Sequence, residues 1–217
     1  MSVSRPKALI FDWDNTLVDT WPVIHAALHA TFTAMGQKPW TLAETKSRVR
    51  LAMRESFPIL FGDRWTEARD VFYEAYERLH IERLVTREGA GEALSGLKDA
   101  GFYLAVVSNK TGGILRTEAE HLGWTGYFGQ VIGAGDAARD KPAPDPVALA
   151  LDGSGIAAGE DVWMVGDSGV DMEIAHATGL VPVLLRGGTP AADEFDAFPP
   201  RLLLADCRAL LDMVKGL

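Results

Sequence analysis

Two aspartates separated by a single residue, Asp12 and Asp14, follow directly after an apolar run at residues 7–11. Side chains at positions i and i+2 of an extended segment point to the same side, so these two carboxylates should lie close together and repel each other. A third aspartate, Asp167, follows another apolar run at residues 162–165. Clustered carboxylates favour a bound cation, and oxygen atoms are the ligands that Mg²⁺ prefers. The sequence therefore predicts a magnesium site.

A hydroxyl, an amide and an amine follow other apolar runs in the same way. Ser108 and Asn109 stand between an apolar run and a helix-like stretch, where a hydroxyl and the backbone N–H groups of a helix start form a seat for phosphate. Lys141 precedes Pro142 in a loop, and its amine would neutralise a phosphoryl oxygen and the aspartate beside it. Each residue alone is also typical of a helix cap, a turn or a surface charge. Together they predict a site for a metal-held phosphate.

These residues require a scaffold that brings the ends of several strands together. Short apolar runs without polar alternation span residues 7–11, 103–107, 130–132, 162–165 and 181–185. Such runs are typical of strands that are buried on both faces of a parallel sheet. Helix-like stretches span residues 89–100, 113–122, 145–154, 170–178 and 205–214. This alternation predicts a doubly wound α/β fold with its ligand at the carboxyl ends of the strands, and every predicted strand end but the last carries polar groups.

The segment after the first strand is too long for one crossover helix. Residues 18–88 contain no convincing strand, and three stretches read as helices, at residues 21–36, 41–57 and 66–84. We therefore expect a core domain formed by residues 1–17 and 89–217, interrupted by an all-helical domain formed by residues 18–88.

Composition limits the partners of the protein. The chain has 217 residues, of which 47% are hydrophobic and 24% charged, as in an ordinary globular protein. Its formal net charge of −9 disfavours binding to nucleic acid or to an anionic membrane. A single cysteine, Cys207, allows no intrachain disulfide, and no run approaches the roughly 18 apolar residues of a membrane span. We expect a cytoplasmic protein that binds neither nucleic acid nor a membrane; its oligomeric state is open.

Four segments, in this order, resemble the motifs of the haloacid-dehalogenase-like (HAD) phosphatases. They are Asp12-Trp13-Asp14-Asn15-Thr16, Val107-Ser108-Asn109, Lys141-Pro142 and Gly166-Asp167-Ser168-Gly169-Val170-Asp171. The insert after the first motif also resembles this family, and most of all its phosphoglycolate-phosphatase-type branch. The resemblance implies a Rossmann-like core, a helical cap domain at residues 18–88, and Mg²⁺ as the cofactor.

The resemblance also implies a role for each motif residue. Asp12 would be the nucleophile that forms an aspartyl-phosphate, and Asp14 would protonate the leaving oxygen and then deprotonate water. The metal ligands would be Asp12, the backbone carbonyl of Asp14, Asp167 and, in or beside the metal shell, Asp171. The phosphoryl group would be held by Ser108, Asn109 and Lys141, and Lys141 would also steady Asp12. The substrate would be a small phosphorylated metabolite, with phosphoglycolate as the best match.

Two residues of the first motif depart from the usual family pattern. Trp13 is bulkier than the common Phe or Leu, and we expect it to pack in the core. Asn15 stands where glycine is commoner, and asparagine tolerates a turn with positive φ better than other non-glycine residues. In the inserted helices, three arginines are candidates for contacting a second anionic group of the substrate. They are Arg48, Arg50 and Arg54.

Two other patterns do not predict a site. Residues 133–138 match the G-x-G-x-x-A fingerprint of dinucleotide-binding proteins, but Pro142 and Pro144 oppose the helix that this fingerprint requires. His25 and His29 are spaced like metal ligands on a helix, but no third ligand accompanies them. We interpret both histidines as ordinary residues of the helical domain.

Other functions remain compatible with parts of this pattern. A sugar-phosphate mutase of the same fold would keep all four motifs and return the phosphoryl group to a substrate hydroxyl. A non-catalytic Mg²⁺-binding module would resemble a receiver domain, although receivers lack both the long insert and an aspartate at the position of Asp14. A dehalogenase would not need Asp14 as an acid, and a phosphonate hydrolase would need a cap lysine, for which only Lys38 and Lys46 are available.

Overall fold

Two compact units make up the chain in the computed structural model, which describes residues 3–49 and 53–217. One unit consists of Met1–Val18 and Thr86–Leu217, and the other consists of Asp19–Val85. The strands are β1 (Ala8–Phe11), β2 (Val18–Asp19), β3 (Val85–Thr86), β4 (Tyr103–Thr111), β5 (Gln130–Ala134), β6 (Val162–Gly166), β7 (Val181–Leu185) and β8 (Leu202–Leu204). The α-helices are α1 (Trp21–Ala34), α2 (Leu42–Arg48), α3 (Met53–Phe61), α4 (Trp65–Leu79), α5 (Ala90–Asp99), α6 (Gly112–His121), α7 (Asp145–Leu151), α8 (Gly169–Thr178) and α9 (Cys207–Lys215).

The larger unit contains a six-stranded parallel sheet with the strand order β5-β4-β1-β6-β7-β8. The central strand β1 is buried along its whole length, which explains its unbroken apolar sequence. Phe11 at its end lies beside Val106 of β4 and Val165 of β6. The residues that follow these three positions therefore meet at one edge of the sheet. The predicted doubly wound α/β fold is confirmed.

The core of this unit is built on both faces of the sheet. Ala8 and Ile10 of β1 belong to a buried cluster that includes Val147 of α7 and Ile174 of α8. Because successive side chains of a strand point to opposite faces, Leu9 and Phe11 are buried on the other face. Apolar burial of this extent is the main stabilising contribution to such a sheet.

Four strands differ from the prediction. β4 continues through polar residues as far as Thr111, whereas the predicted apolar run ends at Val107. β8 was not predicted, because it is only three residues long and none of its residues is buried. The two-residue strands β2 and β3 pair with each other, and both lie within residues 18–88, where no strand was predicted.

The smaller unit is helical and has its own aromatic core. Phe57 of α3 packs against Phe61 and Phe72, with ring centroids 5.1 and 5.7 Å away, and Phe32 of α1 lies 5.3 Å from Phe61. Helix α2 begins at a capping box, in which Thr41 and Glu44 satisfy each other's backbone N–H groups. The single helix predicted at residues 41–57 is instead two helices, because α2 ends at Arg48 before an extended Val49 and α3 is described from Met53; residues 50–52 lie outside the described residues.

Candidate active site

The first catalytic candidate, Asp12, leaves β1 and remains tied to the sheet by its N–H group, which donates to the Val165 carbonyl at 2.8 Å. Its carboxylate is nearly buried, and its Oδ1 atom accepts a hydrogen bond from the Lys141 ammonium at 2.7 Å. The same ammonium donates to Oδ1 of Asp171, also at 2.7 Å. Lys141 therefore bridges two buried carboxylates from opposite ends of the motif series, as a compact ammonium with three donors can.

Three carboxylates share the space around this lysine. Asp12, Asp167 and Asp171 each offer one oxygen, and these oxygens all lie within 4.8 Å of one another. Lys141 pairs with two of these carboxylates, and when all four groups are ionised the three carboxylates and the lysine sum to −2. The hydroxyl of Thr16 adds a polar contact, at 3.5 Å from both Asp12 and Asp167. The cluster is therefore short of positive charge.

The pKa values of Asp12, Asp167 and Lys141 are all raised. Burial, together with the neighbouring Asp171 and Asp14, raises the pKa of Asp12 to about 6 in spite of Lys141. Burial and the charges of Asp12 and Asp171 raise the pKa of Asp167 to about 7. Burial alone would lower the pKa of Lys141, but the carboxylates of Asp12 and Asp171 outweigh it and raise that pKa above its usual range. Lys141 is thus held as a cation, while Asp12 and Asp167 keep their protons up to a higher pH than exposed aspartates do, a tendency that another cation would oppose.

This donor set fits a small divalent cation. Two oxygens bound to one Mg²⁺ ion at about 2.0–2.1 Å lie up to about 4 Å apart, which is close to the spacing of the three aspartates. Asp12 and Asp167 would supply oxygens directly. Asp171 already accepts hydrogen bonds on both oxygens, from Lys141 and from the N–H and O–H groups of Ser168. It would therefore hold a metal only by sharing these oxygens.

Gly166 allows the fully buried Asp171 to reach this position. A Cβ atom at Gly166 would lie 2.3 Å from the Asp171 carboxyl carbon, so no other residue leaves space for it. The side chain of Asp171 closes the N-terminal turn of α8 through the Ser168 N–H group at 3.1 Å. The fourth motif therefore combines a helix start with a buried charge.

Asp14 belongs to a second ionic cluster, which the sequence did not reveal. Its Oδ1 atom lies 2.7 Å from the ammonium of Lys110, whose side chain is only 4% exposed. Lys110 also contacts Oε2 of Glu118 on α6 at 2.6 Å, and Glu118 is fully buried. The same Glu118 oxygen accepts the indole N–H of Trp13 at 2.7 Å. We call Trp13, Asp14, Lys110 and Glu118 the Lys110 cluster.

Two patterns in the sequence could have pointed to this cluster. Lys110 stands two residues after Ser108, and because β4 continues through both residues they point to the same side. Glu118 occupies a core position of α6, between the buried Leu115 and Ala119. A glutamate on the apolar stripe of a helix predicts a buried partner, which here is the lysine.

Ser108 and Asn109 of the second motif lie close to Lys141 of the third motif. Ser108 is buried, and its hydroxyl accepts the Lys110 N–H group at 3.2 Å. The Asn109 amide donates to the backbone carbonyl of Lys141 at 3.1 Å and so ties the two loops together. Helix α6 begins only at Gly112, because β4 runs on to Thr111. The helix predicted to start at residue 113 thus begins one residue earlier, four residues after Ser108.

Arg186 follows β7 directly, so the last predicted strand end also carries a polar group. Its guanidinium pairs with both oxygens of Glu194 at 2.8 Å and lies 3.5 Å from the backbone carbonyl of Asp167. Its charge also opposes the rise in the pKa of Asp167. The expectation that this strand end lacked polar groups was wrong, because Arg186 was not counted as part of it.

The predicted site residues line one cavity of about 300 Å³ in the larger unit. Its walls are Asp12, Asp14, Asn15, Ser108, Asn109, Lys110, Lys141, Asp167, Ser168 and Val170. Asp171 is the one predicted residue that is not among them; it lies behind Lys141 and is fully buried. The cavity therefore brings three carboxylates, of Asp12, Asp14 and Asp167, and two buried ammonium groups, of Lys110 and Lys141, into one small volume.

The departures in the first motif behave as expected. Trp13 is fully buried, although its indole also donates a hydrogen bond that was not predicted. Asn15 adopts φ +60°, the one positive φ of a non-glycine residue within the described part of the chain. Of the three arginines, Arg48 pairs with Glu44 at 3.2 Å, Arg54 is exposed, and Arg50 lies outside the described residues.

The two rejected patterns have structural explanations. No helix begins directly after residues 133–138. Instead, Gly133 allows a close approach of two backbone segments, since a Cβ atom there would lie 2.4 Å from the Cα atom of Gly112. His25 contacts the Thr45 hydroxyl at 3.2 Å. Within residues 3–49 and 53–217, the acidic cluster at Lys141 is the one group of three metal-ligating side chains, and it includes neither His25 nor His29. Within the same residues, no helix is both long and apolar enough to cross a membrane.

Several known proteins are similar to this chain in sequence or in fold. A phosphoglycolate phosphatase from Xanthomonas campestris pv. campestris (strain 8004) is 30% identical over 193 residues, which cover 87% of each chain. The crystal structure of a HAD-superfamily hydrolase from Ehrlichia chaffeensis is also 30% identical, with a TM-score of 0.68, and covers 99% of this chain and 98% of its own. A Thermotoga maritima structure provisionally assigned as a β-phosphoglucomutase has the same fold at 22% identity, with a TM-score of 0.81 and coverage of 97% and 99%.

The family model for haloacid dehalogenase-like hydrolases matches residues 9–184, which include all four motifs. The resemblance seen in those motifs is thereby confirmed, and so is the expectation of a hydrolytic enzyme. The chain belongs to the haloacid dehalogenase-like hydrolase family.

Proposed function

We propose that the protein is a Mg²⁺-dependent phosphomonoester hydrolase that acts on a small phosphorylated metabolite. The observation that carries this proposal is the bridge from Lys141 to Asp12 and Asp171, beside Asp167, in a cavity of about 300 Å³. A buried ammonium next to a carboxylate nucleophile binds the oxygens of a phosphoryl group. The relative named phosphoglycolate phosphatase supports phosphoglycolate as the first substrate to test.

The proposed reaction has two steps at phosphorus. In the first, an Asp12 oxygen bonds to phosphorus while the ester P–O bond breaks, and the leaving oxygen takes a proton from Asp14. In the second, Asp14 takes a proton from water as the water oxygen bonds to phosphorus. The bond between phosphorus and Asp12 then breaks, which releases inorganic phosphate and restores both aspartates.

The other site residues act on charge and position. Lys141 keeps Asp12 ionised and faces the phosphoryl oxygens, and Ser108 and Asn109 present polar groups to the same cavity. A Mg²⁺ ion held by Asp12, Asp167 and the backbone carbonyl of Asp14 would supply the positive charge that the acidic cluster lacks. The raised pKa values of Asp12 and Asp167 support this assignment, since burial and the neighbouring carboxylates both disfavour their charged forms and a cation would offset this.

We further propose that Asp19–Val85 acts as the cap domain, the part of the enzyme that selects the leaving group. Its helices form a separate compact unit with an aromatic core, which suits a module that varies independently of the chemistry. Fold and motifs determine the reaction type, whereas the cap determines which ester is accepted.

The test is release of inorganic phosphate from phosphoglycolate and a panel of sugar phosphates, with Mg²⁺ and with a chelator. We expect multiple turnover with Mg²⁺ only, and a loss of at least about 10³-fold in Asp12→Asn, as expected when a nucleophile is removed. The matched control is Asp212→Asn, an exposed aspartate of α9, which should match the wild type. Intact-mass spectrometry of rapidly quenched protein should detect the phosphorylated enzyme.

The same assay separates the alternatives. Phosphate transfer to an added sugar, without release to water, would identify a mutase. A single phosphorylation event without turnover would identify a receiver-like module. Full activity of Asp12→Asn would contradict the proposed mechanism.

A further inference from the structure

Lys110 lies in the cavity but matches none of the four motifs. Its ammonium contacts Asp14 at 2.7 Å and Glu118 at 2.6 Å, and its side chain is almost completely buried. A buried ammonium is costly unless it is paired, and this one is paired on both sides. The question is what such a costly arrangement does for the enzyme.

The contacts of the Lys110 cluster form a chain that connects the core of the larger unit to the cavity. Glu118 is fully buried on α6 and is held by the indole N–H of Trp13 at 2.7 Å. Lys110 spans from Glu118 to Asp14, which lines the cavity and whose side chain is 31% exposed. The rigid end of the cluster is therefore in the core, and its most exposed member is the carboxylate proposed to move protons.

We propose that Lys110, anchored by Glu118 and Trp13, is a positioning residue that fixes the Asp14 carboxylate for proton transfer to the leaving group. This inference rests on the proposed phosphatase function. A general acid must be held within hydrogen-bond reach and in the correct orientation, and small misplacements reduce the rate strongly. Lys110 reaches Asp14 from the side of the core and limits the rotation of its side chain.

The contact holds one oxygen of the Asp14 carboxyl group in place, since Oδ1 lies 2.7 Å from the Lys110 ammonium. In the proposed step, Asp14 donates a proton to the leaving oxygen as the ester P–O bond breaks. Asp14 is then a carboxylate, and its contact with the Lys110 ammonium persists.

Buried stability alone does not explain this cluster. Apolar residues of similar volume in place of a buried ion pair are often equally stable or more stable. A polar network that ends on a cavity carboxylate is better explained by the geometry it imposes on that carboxylate. A positioning role can be recognised because the loss of kcat/KM should depend on the leaving group. p-Nitrophenolate departs without a proton, whereas an alkoxide needs one.

The experiment compares kcat/KM for an alkyl phosphate and for p-nitrophenyl phosphate in the Mg²⁺-loaded enzyme. The alkyl phosphate is phosphoglycolate, or the alkyl ester of the panel that the wild type hydrolyses fastest. In Lys110→Met we expect kcat/KM to fall about 100-fold for the alkyl ester and less than about 3-fold for the aryl ester, with KM for both nearly unchanged. Because kcat/KM covers the steps up to departure of the leaving group, hydrolysis of the phosphorylated enzyme does not mask the difference.

A second variant guards against loss of folding. Lys110→Met leaves two carboxylates without their cation, whereas Lys110→Met/Glu118→Gln removes the buried charge of Glu118 as well. The double variant should fold, as judged by its thermal unfolding, and show the same selective loss. Glu120→Gln changes an exposed glutamate on the same helix and should match the wild type on both esters.

Each outcome decides between the two levels of proposal. Equal losses on both esters, no loss on either, or a double variant that cannot fold would overturn the positioning role of Lys110. The phosphatase assignment would survive these results, because Asp12→Asn would still abolish turnover. A wild-type enzyme that releases no phosphate from any ester would overturn the proposed function and this inference with it.

Discussion

The two aspartates of the first motif are each held by a buried lysine, but the two surroundings are different. Lys141 connects Asp12 to Asp171, and Lys110 connects Asp14 to Glu118. In both clusters the second carboxylate is fully buried and comes from a helix behind the sheet edge. The same construction thus occurs twice around one small cavity.

The difference lies in the balance of charge. The Lys141 cluster contains a third carboxylate, Asp167, and burial and mutual repulsion raise the pKa values of Asp12 and Asp167 to about 6 and about 7. In the Lys110 cluster, the third member is Trp13, whose N–H group donates to Glu118. A further cation would therefore offset negative charge in the Lys141 cluster. In the Lys110 cluster, the additional partner is a neutral hydrogen-bond donor.

This contrast explains how two chemically identical side chains can take different roles. In the proposed mechanism, a carboxylate beside a metal ion and a fixed ammonium would remain ionised and act as the nucleophile. A carboxylate that a lysine holds at the cavity wall would exchange a proton with the leaving group. The comparison predicts that damage to the two clusters will have different kinetic signatures.

The largest expected effect is that of Lys141→Met. Removal of this ammonium takes a donor from the phosphoryl oxygens and leaves the two buried carboxylates of Asp12 and Asp171 without their lysine, so kcat/KM should fall by about 10²–10³-fold. The loss should be equal for alkyl and aryl esters, unlike that of Lys110→Met. Stability should also fall by about 3–5 kcal/mol, measured by urea unfolding.

Lys98→Met is the matched control for this prediction. Lys98 is exposed at the end of α5 and should be replaceable without effect on either ester. If Lys141→Met instead lost activity on the alkyl ester alone, the two lysines would be equivalent and the contrast between the clusters would be wrong.

Gly166→Ala should be the next most damaging change, and it acts only on the Lys141 cluster. The new Cβ atom would overlap the Asp171 carboxyl group, which must then move away from Lys141. We expect a loss of about 10–100-fold on both esters, as is typical when a supporting residue of a metal site is displaced. Gly126→Ala is the control, because a Cβ atom there meets nothing within 4 Å. Wild-type kinetics of Gly166→Ala would show that Asp171 does not need its present position.

Much of the fold and of the Lys141 cluster could be predicted from the sequence. Strands buried on both faces leave unbroken apolar runs, and the polar residues after them must meet at one sheet edge. Asp12, Asp167 and Lys141 were found in this way, and the family resemblance added their roles. Arg186 was missed because it ends an apolar run without belonging to a motif.

The Lys110 cluster could not be predicted from the same rules. It depends on β4 continuing as a strand through polar residues, which places Lys110 on the side of Ser108. It also depends on the packing of α6, which brings Glu118 within hydrogen-bond distance of both Lys110 and Trp13. The position of Glu118 on the apolar stripe of α6 signals that it has a buried partner, but no local pattern shows which residue, far away along the chain, that partner is.

The dependence of the unfolding free energy on pH should test the charge of the Lys141 cluster without any assay of activity. The native-state pKa of Asp167 is raised to about 7, above the value of about 3.9 in an unfolded chain. Between these values the native state binds more protons than the unfolded state, so the stabilising contribution is complete below pH 4 and is lost as pH rises through 7. The slope contributed by such a group is at most about −1.4 kcal/mol per pH unit.

Urea unfolding of the metal-free wild type between pH 4 and 7 should therefore show a steeper decline than that of Asp167→Asn. Added Mg²⁺ should remove the difference, because the ion offsets the repulsion that raises the pKa. Asp212→Asn serves as the control with an unchanged slope. Identical slopes in the wild type and Asp167→Asn without metal would show that the pKa of Asp167 is not raised in the folded protein.

The smallest expected effect is that of Trp13→Phe, which removes one hydrogen bond from the Lys110 cluster and leaves its ion pairs intact. Trp163→Phe provides a matched comparison, because Trp163 is equally buried and its Nε1 atom has no hydrogen-bond partner in the described structure. Both changes remove the same volume, so the difference between their unfolding free energies isolates the bond to Glu118. We expect Trp13→Phe to be more destabilising by about 1.5–3 kcal/mol, the usual contribution of a hydrogen bond to a charged group. Its kcat/KM for the alkyl ester should fall by less than about 5-fold, far less than in Lys110→Met, since Lys110 still reaches Asp14. Equal destabilisation by the two changes would mean that Trp13 fills space without anchoring Glu118, and Lys110 would then depend on Glu118 alone.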